Sequence, residues 1–191
     1  MIEEQTIIEE WERVRAPEAP KLEEIKISLK KTALLVLDIQ KNNCNNERRP
    51  RCVKSLDKIQ MIVEKARKAE IPVIFTLTSA ASKADFRREV LPSREETIIK
   101  ASVNKFYKTE LEEILKKKKI KTIIMVGTSA NGAVLHTAAG AVTRDFEVIV
   151  PVDGISATYP YEEQYSVWHL INSPGTRRKV VITKAELIRF I

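Results

Sequence analysis

Apolar residues in this chain gather in short unbroken runs, separated by longer charged segments. The runs are "TALLVLDIQ" (32–40), "IPVIFTLT" (71–78), "IKTIIMVGT" (120–128), "FEVIVPVDG" (146–154) and "RKVVIT" (178–183). Each has the length of a strand, and strands apolar on both faces belong in a parallel sheet covered by helices. The intervening segments 53–69, 108–119, 131–145 and 161–172, and a closing segment 184–191, carry helical spacing. Thr109 is placed to cap the second of these. A long irregular stretch, 79–99, runs into the apolar "TIIK" that ends at Lys100. Strand and helix patterns alternate, with connections too long for hairpins. That predicts an α/β fold: a doubly wound, mostly parallel sheet of about six strands with helices on both faces, a Rossmann-like three-layer sandwich. Ahead of it, residues 3–14 read as an amphipathic helix with Ile7, Ile8 and Trp11 on one side, broken by "APEAPK". The expected division is an N-terminal helical arm over 1–30, packed on the domain or on a neighbouring subunit, and one domain over 31–191.

In such sheets a ligand binds beyond the carboxyl ends of the strands, near the point where strand order reverses. The residues to inspect are therefore Asp38, Thr78, Lys100, the loop 127–133 and Asp153. Asp38 ends an apolar strand, where an acid is costly unless paired, hydrogen-bonded or functional. Lys100 ends a second apolar segment leading to the same edge. Together they are expected to form an ion pair at the rim of a cleft, the lysine holding the aspartate ionised or relaying protons. In "GTSANGAVLHTAAGA" (127–141) a strand turns directly into a helix, whose first N–H groups point at any developing oxyanion. Gly132, Ala133 and the run 138–141 are small, which brings this helix close to the sheet. Where a nucleophile would stand, Ala133 has only a methyl group.

Composition narrows the classes. At 191 residues, 43% hydrophobic and 31% charged, the chain is globular. No stretch approaches the roughly 20 apolar residues of a membrane span, and the acidic start does not read as a secretory signal, so a cytoplasmic location is expected. The net charge of +7 and pI near 9.4 raise the question of nucleic acid. The basic residues alternate with acids, "KKKKIK" falls at a helix end where cations suit the dipole, and no aromatic stacking pattern is present. No nucleic-acid partner is expected. The charge instead favours an anionic substrate, and Arg177 and Arg178 are candidates to reach a neighbour's cleft. Abundant Lys, Glu and Ile with four Gln fit a thermophilic source. Cys44 and Cys52 have no histidines near them to complete a zinc site. They stand open as plain surface thiols, a loop-closing disulfide or a relocated nucleophile. His136 and His169 read as packing or surface residues.

Four segments together resemble the isochorismatase-like, or cysteine, hydrolase superfamily: "ALLVLDIQ", "KASVNKFYKTEL", "VGTSANGAVLHTAAGA" and "FEVIVPVDGISA". The resemblance runs from about Thr32 to Ala157 and implies Asp38 and Lys100 as catalytic residues. It places the nucleophilic cysteine of the family at Ala133. It implies a non-proline cis peptide at Thr128–Ser129, an oxyanion hole from the N–H groups of Ser129 and Ala133, and substrate-binding roles for Gln40, Asn131 and Phe106. No histidine follows the second strand, so the metal motif of nicotinamidases is missing; neither metal nor organic cofactor is expected. A homodimer or higher homo-oligomer is. With alanine at 133, three explanations stay open. The protein could hydrolyse a small polar metabolite (vinyl ether, amide or ureido) by Asp/Lys acid–base chemistry, as true isochorismatases work without that cysteine. It could be a cysteine amidohydrolase with alanine in place of cysteine, or a silent small-molecule-binding or assembly protein.

Overall fold

The structure, a computed structural model, describes residues 6–191; positions 3–5 of the expected first helix lie outside them. A short helix α1 (Ile7–Glu10), capped by Thr6, leads through an exposed arm to strand β1 (Ile25–Ile27). Then follow β2 (Thr32–Leu37), α2 (Pro50–Lys68), β3 (Val73–Leu77), β4 (Thr97–Lys100), α3 (Leu111–Lys117) and β5 (Thr122–Thr128). The second half holds α4 (Leu135–Val142), β6 (Glu147–Pro151), β7 (Ile155–Ser156), α5 (Pro160–Asn172), β8 (Val180–Thr183) and β9 (Ile188–Phe190). The main sheet is parallel throughout in the order β4-β3-β2-β5-β6-β8, with β7 paired to the end of β5. From β2 the chain winds outward through β3 and β4; from β5 it winds the other way. The switch point therefore lies between β2 and β5.

All six residues of β2 are buried, as a strand covered on both faces requires. Leu34, Val36 and Phe75 pack beneath α2, while Leu35, Leu37 and Ile123 pack under α3, α4 and α5. At the switch point β2 and β5 come together because residue 127 is glycine. Its φ is +134°, and a Cβ there would sit 2.1 Å from the Leu37 carbonyl oxygen. α2 begins with Pro50, whose fixed φ suits a first helical turn. α3 carries Lys116 and Lys117 in its last turn, as the helix dipole favours. Among the described residues no helix is long and apolar enough to cross a membrane.

One expectation of the fold needs correction, and the structure adds detail to two others. The closing segment 184–191 is not a helix: a single 3-10 turn, Ala185–Leu187, leads into β9, which pairs in parallel with β1. Ala185 and Ile188 are both buried at a spacing a helix would also use, and an available partner strand decides for the extended form. Residues 25–27, assigned to the arm, are thus paired to the chain's end. Of the three readings open for the cysteines the structure has the loop-closing disulfide: Cys44 and Cys52 are buried and joined, which removes Cys44 as a substitute nucleophile.

Candidate active site

Asp38 is the first residue past β2, and its φ of +54° turns the chain sharply at the sheet's carboxyl edge, a left-handed conformation that aspartate tolerates better than most residues. Its carboxylate is almost wholly buried and fully engaged. The Thr76 hydroxyl donates to Oδ1 at 2.7 Å and accepts the Asp38 N–H at 3.2 Å. The Lys105 ammonium donates to Oδ2 at 2.7 Å.

The lysine of this pair is Lys105 and not Lys100. In β4 alternate residues face opposite sides, so Ile99 and Ala101 join the core cluster of Leu37 and Ala133 while Lys100 is turned away and exposed. It lines a separate cleft with Leu77, Ser82, Glu96 and Ile98. Lys105 reaches the aspartate from the loop after β4, with its side chain 0% exposed. Three contacts hold that loop: the Lys105 N–H donates to Thr137 Oγ1 at 3.2 Å, the Thr137 hydroxyl donates to the Val103 carbonyl at 3.4 Å, and the Thr109 hydroxyl donates to the Lys105 carbonyl at 2.6 Å. Thr109 also accepts the first N–H of α3, from Leu111. The small residues of α4 make room for this loop: a Cβ on Gly140 would lie 2.8 Å from the Asn104 side chain. Burial pulls the Lys105 pKa below its ordinary value, and the Asp38 charge and hydrogen bond offset part of that shift.

Beyond β5, the Thr128–Ser129 peptide is cis. Residues Ala130–Val134 form one π-helical turn before α4 proper. The N–H groups of Gly132 and Val134 both close on the Ser129 carbonyl. The Ser129 N–H has no partner among the described residues. Ala133 is buried within this turn and Asn131 half-buried.

Other candidates find structural places. Phe106 does not line the rim; it stacks on Phe146 at 5.9 Å with the Arg144 guanidinium over its ring. Asp153 accepts the Ala185 N–H at 2.9 Å and anchors the final turn. Thr78 donates to Gln40 Oε1 at 3.1 Å, which holds Gln40 at the rim. Arg177 and Arg178 lie just before β8, at the amino edge of the sheet and opposite Asp38 within the same chain. His136 is exposed, and His169 lies against Tyr165. Among the described residues no cluster of His, Cys, Asp or Glu is arranged to hold a metal ion.

The chain belongs to the isochorismatase family of hydrolases: the isochorismatase domain matches residues 32–185. A 101-residue stretch is 30% identical to an N-carbamoylsarcosine amidase from an Arthrobacter species. That match takes in 52% of this chain and 38% of the relative, so it spans well under half of that protein's length. Among solved structures, the fold is similar to an isochorismatase-like hydrolase from Alkaliphilus metalliredigens, with TM-score 0.74, 22% identity, and coverage of 82% of this chain and 95% of that one. An N-carbamoylsarcosine amidase from Thermoplasma acidophilum gives TM-score 0.70 at 22% identity, over 82% and 97% of the two chains. A nicotinamidase from Staphylococcus aureus gives 0.71 at 18%, over 81% and 99%.

Proposed function

We propose that the protein hydrolyses a small polar metabolite without a cysteine nucleophile, Asp38 moving the proton and Lys105 serving as its charge partner. The supporting observation is the ion pair itself: two charges 2.7 Å apart and out of water at the strand-order switch, where desolvation is costly and a purely structural site could use apolar residues instead. The Lys105 ammonium partners the carboxylate form, which suits Asp38 to act first as a base. Asp38 takes a proton from water, and the hydroxide adds to the carbonyl carbon of an amide or ureido bond. The Ser129 and Ala133 N–H groups face the developing oxyanion. Asp38 then returns the proton to the departing nitrogen as the C–N bond breaks. A vinyl ether would need Asp38 to arrive protonated, so amide or ureido substrates are the better match. Asn131 and Gln40 flank the turn and the acid, and bind the substrate's polar groups.

A turnover screen against primary amides, N-carbamoyl amino acids and isochorismate tests this, with Asp38→Asn and Ala133→Cys run in parallel. The expected result is activity in the unaltered chain that falls at least about a hundredfold in Asp38→Asn. Activity confined to Ala133→Cys would replace this reading with a cysteine amidohydrolase lacking its cysteine. Silence from every variant would leave a small-molecule-binding protein, the reading the Ala133 methyl group favours.

A further inference from the structure

Among the described residues, three buried side-chain atoms have no hydrogen-bond partner in the protein: Gln40 Nε2, Arg49 Nε and Ser156 Oγ. Such atoms are uncommon in folded chains and call for an explanation. All three belong to the carboxyl rim of the sheet. Gln40 lies two residues past Asp38 and is 0% exposed. Ser156, 1% exposed, stands in register with Thr128 at the head of the turn that holds Ala133. Arg49 donates Nη1 to Asn43 Oδ1 at 3.3 Å, and the N–H groups of Asn43 and Cys44 both bond to the Gln40 carbonyl. The guanidinium therefore hangs from the turn that carries the acid.

Its charge has no carboxylate in direct contact. Arg49 is half-buried and makes no ion pair among the described residues. Burial lowers its pKa, while the charges of Glu162 and Asp38 act the other way. Neither acid bonds to it: Asp38 bonds to Lys105 and Thr76, and Glu162 accepts the N–H groups of Thr158 and Tyr159 through Oε2. The loop is also fixed in place, since the Cys44–Cys52 disulfide closes it around Arg49 and Pro50 follows directly. A preplaced cation with no anion bonded to it is the arrangement that lowers the cost of binding one.

We propose that the rim takes a carboxylate-bearing ligand, with Arg49 holding the carboxylate while Gln40 Nε2 and the Ser156 hydroxyl donate to the ligand's remaining acceptors. All three open groups can donate, and a guanidinium fork matches a carboxylate in shape as well as charge. The inference rests on the rim being the substrate site, and it narrows the substrate to an anion.

Isothermal titration with N-carbamoylglycine, nicotinate and benzoate, each set against its neutral primary amide, tests this without requiring turnover. At least one carboxylate should bind about tenfold or more tightly than its amide. Arg49→Gln should erase that margin by weakening the carboxylate far more than the amide, and Arg49→Lys should keep part of it. Thermal melting confirms that each variant is folded. Absence of any carboxylate preference in the unaltered protein overturns the inference, as does a preference that survives Arg49→Gln. Carboxylate binding without turnover would sink the hydrolytic reading alone; Asp38-dependent turnover of neutral substrates indifferent to Arg49 would sink this one alone.

Discussion

The two ends of the parallel sheet carry similar charges and treat them differently. At the amino end, Lys26, Lys31, Lys121, Arg178 and Lys179 line a shallow cleft of about 510 Å3. Lys179 meets Asp145 there at 2.6 Å, with the two side chains 36% and 94% exposed. At the carboxyl end, Lys105 meets Asp38 at 2.7 Å with exposures of 0% and 5%. The distances are nearly equal, so geometry alone does not separate the pairs. Dielectric does: Coulomb attraction and desolvation both grow steeply as water leaves. Charge at the amino end is held by solvent and contributes to solubility. At the buried part of the carboxyl end each charge must be satisfied by the protein or by something bound to it.

The sharpest way to break this comparison is to remove the buried cation. Lys105→Met should cost about 3–5 kcal/mol of folding stability, because it strands the Asp38 carboxylate among apolar neighbours. Equilibrium urea unfolding measures it. Adding Asp38→Asn should recover part of the loss, since the stranded charge goes with it; coupling between contacting partners runs to about 0.5–3 kcal/mol. A single-variant loss below about 1 kcal/mol would mean that water reaches the pair and that the two ends do not differ in kind.

Asp38 was legible from its position because an acid closing a fully apolar run has few structural excuses. Its partner was not. Lys100 stands beside apolar residues in sequence, but a period of two sends Ile99 and Ala101 to the site face and Lys100 to the other. Lys105 lies in an irregular loop, "SVNKFYK", where no periodicity indicates direction. Its local signal was adjacency to Phe106, whose packing against Phe146 sets the loop's position. The fold was readable where hydrophobic runs were long. It was misread at 184–191, where the same buried residues satisfy a helix or a short strand and only the distant β1 decides. The disulfide stood among three open readings because spacing alone does not set the oxidation state of two thiols, and the three orphaned polar atoms depend on contacts between segments, which one-dimensional pattern does not carry.

A smaller effect sharpens the comparison through titration. Burial lowers the Lys105 pKa and Asp38 offsets only part of that, so Lys105 should lose its proton at a lower pH than an ordinary lysine does. The Lys105 side-chain carbon shift, followed by NMR, reads this directly. Between the folded and unfolded pKa values the unfolded chain binds more protons at this group, so by linkage its contribution to stability rises with pH across that window. Catalysis responds the other way: once the ammonium is neutral the carboxylate loses its partner, and turnover should fall earlier than an ordinary lysine would dictate. A Lys105 that titrates no lower than an ordinary lysine would place the pair in a wetter setting than its burial implies.

The amino end supplies the smallest effect. Lys179→Ala removes an ion pair as short as the buried one, yet Asp145 is left in water rather than in a core. Its carboxyl pKa is lowered mainly by the Lys179 hydrogen bond, and solvent takes over that role when the lysine goes. Exposed pairs of this kind contribute little because water and salt screen them and two long side chains must be ordered to make them. The urea midpoint should therefore stay within experimental error of the unaltered protein, at low salt as at high. A loss approaching that of Lys105→Met would show that contact distance rather than burial governs these pairs, and the buried pair could then no longer be read as functional on the ground that it is costly to keep.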